Sequence, residues 1–279
     1  MPDAARATGA PRAVDNTDWL KTAAIILATV DHVGYFFMED DRWWSVFGRL
    51  AAPAFFFLLG YAQTRTVPLR WISLGVILTL LDSWNHDWIW VAPNILLSLA
   101  LVRLARPYVQ ILLQRHAWIA FILLASALVA VSPIAAHIVD YGAEGWLWAL
   151  FGLCQRLYVD DRSADDWNAA ARGLPPATAN TKTSALMRLV ACLLAAVVYV
   201  WQEQAEFSFP WVQFAIFVLG VGILSAGLCL FLRSRSPIQP PEAVSRVLRF
   251  IGRHTLELYA IPLAGFELIV GLAPELAQG

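Results

Sequence analysis

Charge is scarce in this sequence. Asp, Glu, Lys and Arg make up 15 % of its 279 residues, against about 25 % in ordinary globular domains. In contrast, 59 % of the residues are hydrophobic and the mean hydropathy is +0.58. About 18 to 20 apolar residues complete one crossing of a bilayer, so this composition exceeds the needs of a single water-soluble core. It predicts a polytopic membrane protein and excludes a soluble enzyme.

Three other features are missing. No basic polar segment interleaved with aromatic residues is present and the net charge is −1, which argues against a nucleic-acid partner. The cysteines have no metal-ligand spacing and lie in apolar runs, so they predict neither a disulfide framework nor a metal site; they are Cys154, Cys192 and Cys229. Residues 1–17 are polar and lack the apolar core of a signal peptide, so we expect a flexible cytoplasmic leader.

Nine apolar runs follow within one predicted membrane domain, residues 18–274. They lack the period-2 alternation of barrel strands, and a spanning segment must satisfy its own backbone hydrogen bonds, so we predict helices. The only sizeable connection, 159–184, contains four Asp, two Pro and one Gly and is expected to be a mobile cytoplasmic loop. The nine runs are 19–37, 46–63, 69–81, 88–104, 118–132, 145–158, 185–201, 211–232 and 247–272.

The basic residues predict an orientation. Most of the 20 Lys and Arg residues fall in alternate connections, and the opposite connections are acidic. Short loops rich in Lys and Arg stay in the cytoplasm, so the pattern favours an all-α inner (plasma) membrane protein of about nine transmembrane helices. Its N-terminus is expected in the cytoplasm and its C-terminus outside.

Ionisable residues inside apolar runs are candidates for function, because burying them in a bilayer is costly. Adjacent helical residues point about 100° apart, so Asp31 and His32 cannot simply face each other as a dyad. We expect Asp31 to pair with Arg49 across the first helix hairpin, leaving His32 to face a cavity. A purely structural cluster that locks the first two runs together is the alternative. Glu257 and Glu267 either line a cavity or are buried as protonated carboxyls.

Four segments carry a family resemblance. The segments VDHVG at 30–34 and GRLAAPAFFFLLGY at 48–61 resemble the D-H-[IV]-G and G-R-x-A-x-P-x-F-x-F-L signature of the TraX family, the F-pilin acetylation proteins. NILLSLA at 94–100 resembles that family's Asn-led fourth span. IGRHTLELY at 251–259 resembles the closing span of the wider membrane acyltransferases. The residues after Tyr259 depart from that closing motif, which often continues to a His, so no second catalytic His is placed there.

The resemblance implies transfer of an acetyl group from cytoplasmic acetyl-CoA to an amine or hydroxyl at the outer face of the membrane. The acceptor classes left open are a peptide N-terminus, a glycan, a small molecule such as an antibiotic, and a lipid head group. In this interpretation His32 is the general base and Asp31 orients or balances it. Arg49 or Asn94 stabilises the oxyanion that develops on the thioester.

Cationic residues near the inner ends of the runs are expected to hold the CoA phosphates. His254 either touches a CoA phosphate or is an interfacial residue. The predicted donor-binding residues are Arg70, Arg103, Arg106, Arg249, Arg253 and His254.

Two other functions are alternatives to the acyltransferase. One is a transporter or flippase for a small polar or lipid-linked solute, and the other is a structural subunit of an envelope assembly.

Overall fold

The computed structural model describes residues 12–38, 41–64, 66–85, 92–135, 138–172, 179–234, 236 and 239–272. The predicted all-helical class is confirmed for these residues, which form ten helices. The helices are α1 (Asn16–Phe37), α2 (Trp43–Gly48), α3 (Ala51–Tyr61), α4 (Leu69–Asn85), α5 (Ile95–Ala135), α6 (Gly142–Arg172), α7 (Ala179–Phe207), α8 (Trp211–Cys229), α9 (Glu242–Arg253) and α10 (Thr255–Leu272).

Six helical segments in the described part of the chain are long and apolar enough to cross a bilayer. They are α1, the α2–α3 pair, α5, α7 from Thr181 onward, α8 and α10. Large apolar side chains on them face outward, and Ile119, Leu193 and Leu219 are all more than half exposed. Exposed apolar side chains on helices of this length and composition are typical of a lipid-facing surface. The chain is therefore a multi-pass membrane protein.

Helix α5 contains a sharp break. The backbone leaves helical geometry at Ala117, where φ is 24°, in a region that residues other than glycine rarely adopt. Val102 before the break and Val131 after it line the same apolar cavity. In addition, the Asp140 amide beyond α5 donates to the Pro93 carbonyl just before α5, at 3.3 Å. The two parts of α5 are therefore antiparallel neighbours, and they correspond to the fourth and fifth predicted runs.

The last predicted run, 247–272, is also two helices. α9 ends at Arg253, and α10 starts at Thr255 after His254 leaves helical geometry at φ −105° and ψ 26°. The sequence hides this break because apolar residues lie on both sides of it. The prediction of one continuous helix is wrong at this point.

The predicted loop 159–184 is largely helical. α6 continues to Arg172 and α7 begins at Ala179, and residues 173–178 lie outside the described residues. The Arg156–Asp160 ion pair, 2.8 Å at spacing i,i+4, supports the extension of α6. Mobility of this connection and its cytoplasmic location stay predictions.

Part of the predicted leader is tied to the helices. Asp15 caps α1 in a reciprocal capping box with Asp18, which satisfies free amides at the helix N-terminus. The Val14 carbonyl accepts a hydrogen bond from the Ser236 amide at 3.1 Å. Residues 12–17 are therefore held in place, and the rest of the predicted leader, 1–11, lies outside the described residues.

The core lies where α3 meets α6. Phe56, Phe57, Trp148 and Phe151 are fully buried there. A Cβ atom at Gly60 would collide with the Ala149 carbonyl, so glycine allows the two backbones to approach closely. This contact fixes how far α3 can slide along α6, and α3 carries Phe55, one of the residues that separate the two cavities described below.

Candidate active site

A cavity of about 240 Å³ opens where α1 ends. We call this end of the helix bundle the Asp31 end, and the end at which α1 begins the Lys21 end. All four residues predicted to be catalytic line this cavity: Asp31, His32, Arg49 and Asn94. The structure thus brings together side chains from three separate segments of the sequence. Their catalytic roles stay predictions.

Glycine places Arg49 beside Asp31. A Cβ atom at Gly48 would collide with both the Asp31 backbone and its Cβ, so only glycine lets the end of α2 contact α1 at this point. Arg49 follows directly, and its Nε lies 3.5 Å from Asp31 Oδ1. The predicted pairing of Asp31 with Arg49 across the first hairpin is confirmed.

Arg49 has more partners than the sequence predicted. Its Nη1 donates to the Tyr141 hydroxyl at 2.9 Å, and its guanidinium lies 4.4 Å from the centre of the Phe207 ring. Two carboxylates of α7, Glu203 and Glu206, each lie 3.8 Å from the guanidinium. Arg49 therefore holds α1, α7 and the α5–α6 connection together in one polar cluster.

The sequence analysis does not predict these partners of Arg49, because they lie in the stretch 105–245, where the resemblance offers no motif. The sequence does contain one indication of the acidic partners. Glu203 and Glu206 end an apolar run on the side of the membrane that also holds Arg49. A buried cation at a span end favours acidic partners at the same depth.

His32 faces the cavity, as expected, and contacts an aromatic ring. Its imidazole lies edge-on to Tyr259, with ring centroids 5.2 Å apart. The Tyr259 hydroxyl interacts with the Asn94 side chain. Asn94 also caps α5, because its side-chain oxygen accepts from the Leu96 amide at 3.1 Å. Tyr259 thus joins His32 and Asn94 into one wall of the cavity.

The two glutamates of α10 have different surroundings. Glu267 is buried, lines the cavity at the Asp31 end, and accepts a 2.6 Å hydrogen bond from Asn85 Nδ2. Glu257 instead pairs with Arg70 at 2.7 Å near the Lys21 end. The sequence left open whether both glutamates line a cavity or are buried as protonated carboxyls. Of the two, only Glu267 lines either of the cavities described here.

A second cavity of about 230 Å³ opens at the Lys21 end. Three cationic residues line it, Lys21, Arg103 and Arg233, together with apolar side chains of α3 and α5. Phe55, Ile95 and Tyr259 line both cavities. We call these three residues the shared wall. The two cavities therefore approach each other from opposite ends of the bundle and meet at it.

The six predicted donor-binding residues do not form one site. Only Arg103 lines the cavity at the Lys21 end. Arg106 is buried, and its Nε donates to the Gly60 carbonyl at 3.0 Å, so it lies inside the protein and does not line this cavity. Arg249 is bound to Glu242 at 2.6 Å. The other three lie outside the two cavities: Arg70, Arg253 and His254.

Asp140 is a further acidic residue of the cavity at the Asp31 end, in the α5–α6 connection. Burial raises the pKa of Asp140 to about 7, while Arg49 and the Ile95 amide act against this shift. The folded protein therefore binds this proton more tightly than the unfolded chain does. Stability contributed by the protonated form is present at low pH and is lost as the pH rises from about 4 towards 7.

We expect Asp140→Asn to remove this pH dependence. In the unmodified protein the free energy of unfolding should fall by up to about 1.4 kcal/mol per pH unit in that window. The variant, which stays neutral, should show a flatter curve. Thermal unfolding in detergent, from a pH of about 4 to about 7, measures the stability of the unmodified protein and of the variant. Parallel curves for the two proteins would contradict this assignment of the proton.

Comparison with known proteins bears on this site. The family model described as TraX protein matches residues 16–224, which include all four predicted catalytic residues. The chain belongs to the TraX family. An uncharacterized protein of Rickettsia prowazekii (strain Madrid E) is 38 % identical over 63 residues, which cover 23 % of this chain and 25 % of that protein. No solved structure matches the chain. The family model stops before α9 and α10, so Tyr259 is placed at the site by the structure.

Proposed function

We propose that this TraX-family protein is an integral-membrane acyltransferase that moves an acetyl group from acetyl-CoA to an amine or hydroxyl acceptor. The observation that carries the proposal is the pair of cavities that enter from opposite ends of the bundle and meet at the shared wall, beside His32. Such an arrangement brings a donor and an acceptor from opposite sides of a membrane to one point. The link between the TraX family and F-pilin acetylation is consistent with this chemistry.

The cavity at the Lys21 end suits the donor. Its three cations match the phosphates of CoA. The Arg103 guanidinium lies 4.9 Å from the centre of the Trp71 ring, and its Nε has no hydrogen-bond partner among the described residues. At a rise of about 1.5 Å per residue, His32 lies roughly 16 Å along α1 from Lys21. The pantetheine arm would cross this distance and bring the thioester to the shared wall.

The cavity at the Asp31 end suits the reaction. The acceptor nitrogen or oxygen attacks the thioester carbonyl carbon while His32 takes the acceptor's proton. When the tetrahedral intermediate collapses, the carbon–sulfur bond breaks and the CoA thiolate takes that proton from the imidazolium. Asn94 and the Tyr259 hydroxyl, on the same wall as His32, would stabilise the negative charge on the carbonyl oxygen.

Binding of acetyl-CoA to the detergent-purified protein tests the donor site. A hydrogen bond to a charged group contributes about 1.5–3 kcal/mol, so we expect Arg103→Gln or Lys21→Gln to raise the Kd about tenfold or more. The loss should shrink at high salt. Arg162→Gln is the matched control, because Arg162 is exposed and lines neither cavity. Equal affinity for all the variants would exclude this cavity as the donor site.

We also propose nine membrane crossings with the N-terminus in the cytoplasm and the C-terminus outside, in the inner membrane. The basic residues support this orientation, and contacts at the two ends support the count. α10, for example, begins at the Lys21 end and reaches the Asp31 end, where Glu267 contacts Asn85 at the end of α4. Thr64→Cys and Trp43→Cys variants are treated in intact cells with a thiol reagent that does not cross the membrane. The two positions should report opposite sides, with the cysteine at position 64 protected from the reagent. The reverse result would invert the proposed orientation.

One observation also favours a transporter. Two cavities separated by a thin wall at mid-bundle are what alternating access requires. The two functions differ in what happens to the donor. An acyltransferase releases free CoA thiol only when an acceptor is present, whereas a transporter moves an intact solute and leaves acetyl-CoA unchanged. Thiol release from proteoliposomes that contain acceptor on the opposite side therefore distinguishes the two.

A further inference from the structure

Helix α9 has three distinct faces. At about 100° per residue, Ser245, Leu248 and Gly252 point one way. Val244, Val247 and Phe250 point a second way, within roughly 120° of one another. The third face carries Glu242, Arg246, Arg249 and Arg253. A helix that lies between protein and water has one face toward each of them. The third face of α9 therefore indicates contact with a further environment.

The first face binds the protein. Ser245 and Leu248 are buried, and a Cβ atom at Gly252 would collide with the Asp18 carboxylate of α1. Lys21 Nζ donates to the Gly252 carbonyl at 3.0 Å. These contacts fix α9 against the start of α1, at the Lys21 end, and so determine where its other two faces point.

The second face is apolar and uncovered. Val244, Val247 and Phe250 are 44 %, 55 % and 54 % exposed. α9 passes into the membrane-spanning helix α10 after the single residue His254, so it lies at the boundary of the bilayer. An apolar face at that depth contacts acyl chains near the headgroups.

The third face is basic. Arg249 is paired with Glu242 at 2.6 Å. Arg246 and Arg253 are exposed, and neither forms an ion pair with any part of the chain that the structure describes. Two free guanidinium groups beside an apolar face fit the phosphate of an anionic lipid that lies at the same interface.

We propose that α9 lies in the plane of the membrane interface and binds anionic phospholipid headgroups through Arg246 and Arg253. The proposal is independent of the acyltransferase function, because α9 contributes no residue to either cavity. It gives Arg253 a different role from the predicted one in donor binding.

Lipid retention by the full-length protein tests the proposal. The protein is reconstituted in nanodiscs of equal parts POPC and POPG, and the retained lipids are measured by native mass spectrometry after extraction. The double variant Arg246→Gln/Arg253→Gln should retain POPG about thirtyfold less strongly than the unmodified protein, at the usual strength of basic side chains near an anionic surface. The control Arg115→Gln/Arg162→Gln removes two exposed charges outside α9 and should have a smaller effect. Equal POPG retention by both double variants would overturn the proposal.

A second arm distinguishes a lipid from a free anion. Val247→Asn/Phe250→Asn leaves every arginine in place but makes the apolar face polar. If α9 rests on the bilayer, this variant also loses POPG preference. If it keeps the full preference, the arginines bind phosphate without the membrane and the interfacial helix is excluded. Unmodified thermal stability in detergent confirms that each variant is folded.

Discussion

Replacing His32 by alanine is expected to lower acetyl transfer by about 10²- to 10⁴-fold, the usual loss when a general base is removed. The imidazole lines the cavity at the Asp31 end and contacts the ring of Tyr259, while the three cationic residues proposed to bind the donor, Lys21, Arg103 and Arg233, line the other cavity. His32→Ala should therefore still insert in the membrane and bind acetyl-CoA with unchanged affinity. Transfer of radiolabelled acetyl groups to peptide, glycan and small-molecule acceptors measures the loss.

The control for this experiment is His116→Ala. His116 is exposed at the break in α5 and lies in neither cavity, so its removal should leave transfer unchanged. Two outcomes would contradict the role of His32. One is full activity of His32→Ala. The other is a variant that fails to fold, which would favour the structural cluster as the reason for this residue.

Removing the charge of Arg49 should have the largest effect on stability. Breaking a buried ion pair from one side costs about 3–5 kcal/mol, because the partner charge stays buried without compensation. Arg49→Gln leaves two buried carboxylates, Asp31 and Glu203, without their cation. Asp31→Asn leaves Arg49 with Glu203 and Glu206, so we expect a smaller loss, about 1–3 kcal/mol.

The double variant Asp31→Asn/Arg49→Gln separates these contributions. It should regain part of the stability lost in Arg49→Gln but not all of it, because Glu203 still lacks a cation. Thermal unfolding of the four proteins in one detergent measures the coupling. Full recovery of stability in the double variant would mean that Glu203 and Glu206 contribute nothing to the stability that Arg49 provides. Equal losses of stability in the two single variants would support the same conclusion.

The sequence was sufficient to find the centre of this site. Asp31, His32 and Arg49 are ionisable residues inside apolar runs, and such residues are too costly to bury without a reason. Asn94 came from the resemblance alone. The composition and apolar runs also predicted the helices, because a membrane leaves few other ways to satisfy the backbone. What the sequence could not predict is how each helix is rotated.

Arg103 and Arg106 show why rotation matters. They are three residues apart on α5 and point about 60° from each other. Arg103 faces the cavity at the Lys21 end, whereas Arg106 donates to the Gly60 carbonyl inside the protein. Basic residues near a span end satisfy the rule for orientation equally well in both positions. Counting charges therefore predicts a side of the membrane for both residues but not which arginine lines a cavity.

The shared wall has a consequence for the membrane itself. Phe55, Ile95 and Tyr259 stand between two cavities that approach each other from opposite ends of the bundle. In an energised membrane, any path of water through this point would conduct protons and dissipate the gradient. In the proposed reaction, the side chains that admit the thioester must therefore also seal against ions, which favours bulky, largely apolar residues there. Permeability thus constrains this wall in addition to chemistry, and the narrow acetylated pantetheine arm of the proposed donor meets both requirements.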